Sequence, residues 1–129
     1  KWGDPPTGDM VFKKSLEDLD IYSRPGDKMS IGDVELVSLV YVFWNNKLMS
    51  VRMEYEGRKN YDLLKTILEG LFGKLSKEVA EGYDVCLWFG ATTTILLDEG
   101  SLSFSSRGLV NRWNELREKE AIEKAKRDL

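Results

Sequence analysis

The chain has 129 residues, 42% of them apolar and 32% charged, which suffices for one domain with one proper core and is too short for two. Nineteen Lys and Arg against 22 Asp and Glu leave a net charge of −3, so no overall basic field exists to draw nucleic acid or anionic lipid. Histidine is absent and cysteine occurs once, which excludes imidazole-based catalysis, a Cys-based zinc site and any intramolecular disulfide.

Residues 1–9 (KWGDPPTGD) hold two of the three prolines and two glycines, and predict an irregular entry arm. The chain opens at Lys1-Trp2-Gly3 without an initiator methionine. That fits the mature part of an exported precursor with its signal peptide removed, or a trimmed sequence. Gly-Asp pairs at Gly3-Asp4, Gly8-Asp9, Gly26-Asp27 and Gly32-Asp33 recur at irregular spacing and read as turns, not as a repeat. A short strand is expected over Asp18 to Ser23, stopped by Pro25-Gly26.

The most telling segment runs from Val34 to Glu56. It predicts a hairpin turning on Trp44-Asn45-Asn46-Lys47, because asparagine at both central positions suits the positive φ angles of a type I′ turn. A regular ladder from that turn pairs Val42 with Met49, Val40 with Val51, Ser38 with Met53, and Leu36 with Tyr55. The second strand alternates cleanly, Met49, Val51, Met53 and Tyr55 against Ser50, Arg52 and Glu54. The first strand is apolar on its opposite face as well, through Val37, Leu39, Tyr41 and Phe43. Leu48 extends that surplus patch, whose two aromatics alone bury ~150–250 Å² each when covered.

Asn60 is placed to cap a helix whose apolar stripe is Tyr61, Leu64, Ile67, Leu68, Leu71 and Phe72, with Gly73 as its stop. A loop is expected near residues 77–82, followed by strands over residues 84–89, 93–98 and 101–105. The last two are joined tightly through Glu99-Gly100, pairing Leu97 with Leu102 and Ile95 with Phe104, with Leu96 opposite Ser103. Cys86 lies in the first of these strands, between Val85 and Leu87-Trp88-Phe89, and reads as a small buried hydrophobe. A final helix from about Leu109 carries Leu109, Trp113 and Leu116 as a docking stripe. Its second half, residues 117–129, has nine charged residues in thirteen. Glu115–Lys119, Glu120–Lys124 and Glu123–Arg127 place acid four residues before base, as an exposed, projecting helix does.

The resulting expectation is one α+β domain over residues 1–129. It has a single antiparallel sheet of about five or six strands in the order β-β-β-α-β-β-β-α, packed on one helix, with a charged C-terminal helix.

No catalytic, cofactor-binding or metal-ligating residue can be assigned. Gly73-Lys74-Leu75-Ser76 mimics a phosphate loop, but no strand precedes it and its glycine ends a helix instead of opening one. Asp18-Leu19-Asp20 lacks the further oxygen ligands of a calcium loop. No segment of about 18 apolar residues is present to span a bilayer.

Several residues and segments together resemble an uncharacterised family of small exported bacterial α+β domains. They are Trp2-Gly3, Ile31-Gly32-Asp33, Tyr41-Val42-Phe43, Asn60 with Leu64 and Leu68, Phe72-Gly73-Lys74, Trp88 and the charged last helix. The resemblance implies an α+β fold and a periplasmic or secreted location, and brings no catalytic residue, cofactor or substrate. A looser likeness, to small outer-membrane-assembly lipoprotein modules, rests on fold class alone.

The leading functional expectation is therefore a non-enzymatic exported domain acting by protein binding or envelope association. Its candidate interaction surface is Val37, Leu39, Tyr41, Phe43, Leu48, Trp88 and Trp113. One alternative is a carrier of a small apolar ligand under the sheet, in a pocket lined by Tyr41, Phe43, Trp88 and Trp113. Another is a self-associating structural module or homodimer, and a third is an enzyme using carboxylates and tyrosine.

Overall fold

Asn45 and Asn46 both adopt positive φ, 49° and 61°, as a two-residue hairpin turn demands. In the computed structural model, which describes residues 1–74, 77–79 (backbone only) and 85–129, they close the hairpin at the middle of an α+β fold. The elements are β1 (Val11–Leu16), β2 (Leu19–Ser23), β3 (Ser30–Ile31), β4 (Val34–Glu35), β5 (Ser38–Trp44), β6 (Lys47–Glu54) and α1 (Arg58–Phe72). There follow β7 (Lys77–Val79), β8 (Val85–Phe89), β9 (Thr93–Leu97), β10 (Ser101–Ser106) and α2 (Arg107–Asp128).

Eight strands form one antiparallel sheet in the order β1-β2-β5-β6-β10-β9-β8-β7, while β3 and β4 pair separately. The class is the expected one, with more strands than expected. The additions are β1, the β3–β4 pair and β7; the last occupies part of the stretch expected to be a loop, and residues 80–82 of that stretch lie outside the described residues. Strand β1 escapes the alternation rule because Lys13 is an extra residue in its ladder and all six of its residues are exposed. A bulge and a lysine pair are devices that keep an edge strand from recruiting another chain.

The hairpin register follows expectation only beside the turn, where Trp44 faces Lys47 and Phe43 faces Leu48. Beyond it the ladder shifts by one, so Val42 faces Ser50, Tyr41 faces Val51 and Leu39 faces Met53. Met49 is the extra residue. A one-residue shift exchanges the two faces of a strand. The expected pairings of Val42 with Met49, Val40 with Val51 and Ser38 with Met53 are thereby overturned. Met49 joins Val42 and Trp44 on one face, with Leu19, Ile21, Leu109, Val110 and Trp113. Met53 joins Tyr61, Leu64, Leu68, Leu97 and Leu102 on the other, with Leu39 and Val51 packed against them. Strand β6 thus serves both cores, and the bulge is what lets it do so.

Helix α1 covers the second of these faces. Tyr61, Leu64 and Leu68 are buried, and the Tyr61 hydroxyl lies 3.1 Å from the Cys86 sulfur, which is fully buried. The helix begins at Gly57 without a side-chain cap, and Asn60 lies inside its first turn, donating from Nδ2 to the Glu56 carbonyl. Gly73 ends it at φ 85°, with its N–H on the Glu69 carbonyl. The expected apolar stripe overruns its seat: Leu71 and Phe72 are 69% and 52% exposed. The β3–β4 hairpin turns at Gly32 (φ 56°) and lies against Ile67, 3.6 Å from where a glycine Cβ would stand.

Helix α2 lies on the opposite face. It starts at Arg107, two residues before the expected Leu109, and Ser106 caps it by accepting the Leu109 N–H, a standard N-cap bond. Leu109, Val110 and Trp113 pack onto the sheet, no residue of the helix is buried, and everything from Glu118 onward is exposed. The β1–β2 turn holds it in place. Trp113 Nε1 donates to Asp18 (2.8 Å), and Arg117 stacks over the Trp113 ring while pairing with Glu17.

Candidate ligand pocket

The seven residues that sequence reasoning grouped into one surface lie in different places. Phe43 is 1% exposed and meets Tyr22 edge-on at 5.1 Å; Tyr22 in turn meets Phe12. Leu39 packs into the α1-side core, where Trp88 is buried too. Trp113 sits on the far side of the sheet with α2. Leu48 is half-buried, its backbone bonded to the arm at Gly3 and Asp4. Val37 alone is substantially exposed, at 60%.

Tyr41 is half-buried and fully engaged. Its hydroxyl donates to Asp27 (2.6 Å), Arg24 Nη2 donates to that hydroxyl (3.1 Å), and Arg24 Nε donates to Asp27 (2.7 Å). Burial is the largest single influence on Asp27 and pushes its carboxyl up. The bonds from Tyr41 and Arg24 and the guanidinium charge together outweigh it, so the carboxyl is held below its ordinary value. Burial first, then the bond to Asp27 and its charge, raise the Tyr41 phenol. This cluster ties the segment after β2 down over β5.

Tyr55 plays a similar part near the β9–β10 turn. It donates to the Asp98 carbonyl, and burial, with the charges of Asp98 and Glu99, pushes its phenol well above the ordinary range. Asp98 Oδ1 accepts from the Gly100 and Ser101 N–H groups and the Ser101 hydroxyl, closing the turn expected at Glu99-Gly100. Every buried side-chain nitrogen and oxygen among the described residues has a partner. Among those residues no group of three Asp, Glu or Cys side chains is placed to hold a metal ion, and no helix is long and apolar enough to cross a membrane.

A site does form where the α1 face runs past the end of its helix. The overrun that leaves Phe72 half-exposed turns its ring toward Phe104 (6.3 Å, edge-on). Trp2, from the N-terminal arm, reaches across to the same place and donates its indole N–H to the Thr93 hydroxyl (2.9 Å). Trp88 donates its own to the Gly73 carbonyl (3.1 Å). Together with Ile95 and Lys74, these residues enclose a pocket of about 490 Å³.

One wall of the pocket is the β8–β9 turn. The Gly90 N–H bonds to the Thr93 carbonyl (2.8 Å), and a Cβ at Gly90 would stand 3.1 Å from that oxygen. Arg107, at the start of α2, anchors the turn from outside: Nη1 donates to the Gly90 carbonyl (2.6 Å), and its N–H donates to Thr92 (3.0 Å). Small-molecule sites are of this size, about 300–1,000 Å³, with mainly apolar walls.

Only Trp88 of the seven candidates lines it. Sequence reasoning treated Phe72, Ile95 and Phe104 as core, and Lys74 as part of an accidental phosphate-loop match. Aromatics from positions 2, 72, 88 and 104 converge only through the sheet order, so no local spacing signals them. The visible hint was Phe72-Gly73, an aromatic in the last turn before a helix stop.

No protein-family model matches the chain, and no curated protein or solved structure matches it at a significant level.

Proposed function

We propose that this is a non-enzymatic, exported binding domain that carries a small apolar ligand in the pocket bounded by Trp2, Phe72, Trp88, Ile95 and Phe104. One observation carries the reading. Both indole N–H groups in the walls are already bonded within the protein, so the Trp2 and Trp88 walls, with Phe72, Ile95 and Phe104, offer a ligand apolar surface. A preformed apolar cavity is stabilised by an apolar occupant that displaces poorly held water. The tie between Trp2 and Thr93, and that between Arg107 and the β8–β9 turn, support a pocket organised before ligand arrives.

Native mass spectrometry of freshly purified protein and titration with a neutral naphthalene derivative, read by tryptophan fluorescence, test this. Saturable binding that weakens at least tenfold in Phe72→Ala is the expected result. Phe72 is half-exposed, so the variant keeps the fold. No binding, or binding indifferent to Phe72, removes the proposal.

A second reading, protein binding or self-association, draws on the opposite face. There Leu87, Phe89, Leu96 and Val110 line a smaller hollow of about 270 Å³ beside α2, and Phe89 is 49% exposed. Light scattering across protein concentration separates the two readings, since a carrier keeps a constant mass.

A further inference from the structure

The rim of the α1-side pocket carries a charge at Lys74. Among the described residues that line it, Lys74 is the only one that is charged, and no Asp or Glu is present. Resting on the ligand-pocket reading above, we infer that the ligand class is an apolar acid: a molecule with an aromatic or branched body and one carboxylate, the body between the aromatic walls and the carboxylate at the Lys74 ammonium.

The alternative for an aromatic enclosure is a quaternary ammonium ion, which aromatic faces attract. Here the surrounding polar groups argue against it. The carbonyls of Gly90, Thr92 and Thr93 in the β8–β9 turn, and of Gly73 beside Lys74, already accept bonds from Arg107 (two), Gly90 and Trp88 respectively. The remaining charge at the mouth repels a cation.

The C-terminal end of α1 opposes an anion with about half a negative charge. That charge is spread over the last turn, and Trp88 and the Gly73 N–H each bond a carbonyl there. A whole ammonium charge directly after the helix outweighs it. Because Lys74 is exposed, the pairing forms in partly solvated surroundings and contributes modestly, as ion pairs at the surface do. The aromatic walls supply most of the affinity, and Lys74 supplies the selectivity for an acid.

The test uses three probes with one apolar body: naphthylacetate, naphthylacetamide and naphthylmethyl-trimethylammonium. Each is titrated into the wild-type chain, Lys74→Met and Phe72→Ala. The expected order in the wild type is acetate, amide, ammonium, with acetate about fivefold tighter than amide at low salt. Lys74→Met should erase that gap and leave amide affinity unchanged; an exposed side chain at the rim makes loss of the fold an unsuitable explanation. Equal binding of acetate and amide in the wild type, tightest binding of the ammonium probe, or an acetate preference that survives Lys74→Met would overturn the acid inference while the pocket stands. Failure of all three probes to bind, or binding indifferent to Phe72→Ala, would remove the pocket and this inference with it.

Discussion

Helix α1 lies on the sheet with Tyr61, Leu64 and Leu68 buried, whereas α2, seven residues longer, buries none and sets Leu109, Val110 and Trp113 against the sheet as its apolar contacts. The two helices hold their faces by different means. The first relies on apolar area removed from water, which is non-directional and roughly additive. The second relies on a few directed contacts: Asp18 to the Trp113 indole and Glu17 to Arg117 from the β1–β2 turn, and Arg107 to the β8–β9 turn. The bulge at Met49 makes the division possible, because it lets one strand feed both faces. A closed face has an open site only where its cover runs out, and α1 runs out at Phe72, where the pocket lies.

The largest effect that would break this contrast is expected in the α1 core. Leu64→Ala, at a fully buried position, should cost roughly 3 kcal/mol by losing both transfer energy and packing; urea unfolding measures it. A cost near zero would mean that α1 is not the main seat of stability. On the other face, Trp113→Ala should cost about 2 kcal/mol, since the side chain is half-buried and loses its bond to Asp18 as well. Leu64 and Trp113 lie on opposite faces with no shared partner, so the double variant should be additive within about 0.5 kcal/mol.

Tyr41→Phe should cost about 1–2 kcal/mol, because it leaves the mostly buried Asp27 carboxylate with one donor fewer. The pH dependence has a definite sign. A carboxyl held below its unfolded value contributes stability that is present above that value, about 3.9, and is lost as pH falls through the folded one. Asp27→Asn should therefore flatten the acid limb of a stability–pH curve below about pH 4. A variant whose acid limb matches the wild type would show that the Arg24–Asp27–Tyr41 cluster does not tie the loop to β5. The smallest effect belongs to the free end of α2: Ile122→Ala, 58% exposed, should change stability by under about 0.5 kcal/mol. A larger loss would mean that this half of the helix is covered in solution.

Much of the frame was legible from residues alone, for reasons local in the chain. Asn45-Asn46 dictated the turn, Gly73 the helix stop, and Glu99-Gly100 the last hairpin, whose pairs Leu97 with Leu102 and Ile95 with Phe104 occur as expected. What could not be read was the extra residue at Met49. From Met49 to Tyr55 the alternation is unbroken, and the adjacent apolar pair Leu48-Met49 fits a regular strand with both faces covered as well as it fits a bulge. The bulge follows instead from tertiary demand: Met49 is drawn to Val42 and Trp44, and the Ser50 hydroxyl is bonded to the Phe104 carbonyl and lies 3.0 Å from the Ser105 hydroxyl.

That single residue puts Leu39, expected on a surplus face, beside Met53 in the α1-side core. The arm was equally hidden. Trp2 reaches Thr93 across 91 positions, a distance over which no spacing rule operates.

The four tryptophans divide between the faces, Trp2 and Trp88 around the pocket and Trp44 and Trp113 in the α2-side core. Each indole N–H gives its own nitrogen–proton NMR signal, so one titration with the naphthyl probes reads both faces at once. The account predicts that the Trp2 and Trp88 indole signals shift with ligand while those of Trp44 and Trp113 stay still. Shifts confined to Trp44 and Trp113, or none at any of the four, would contradict it.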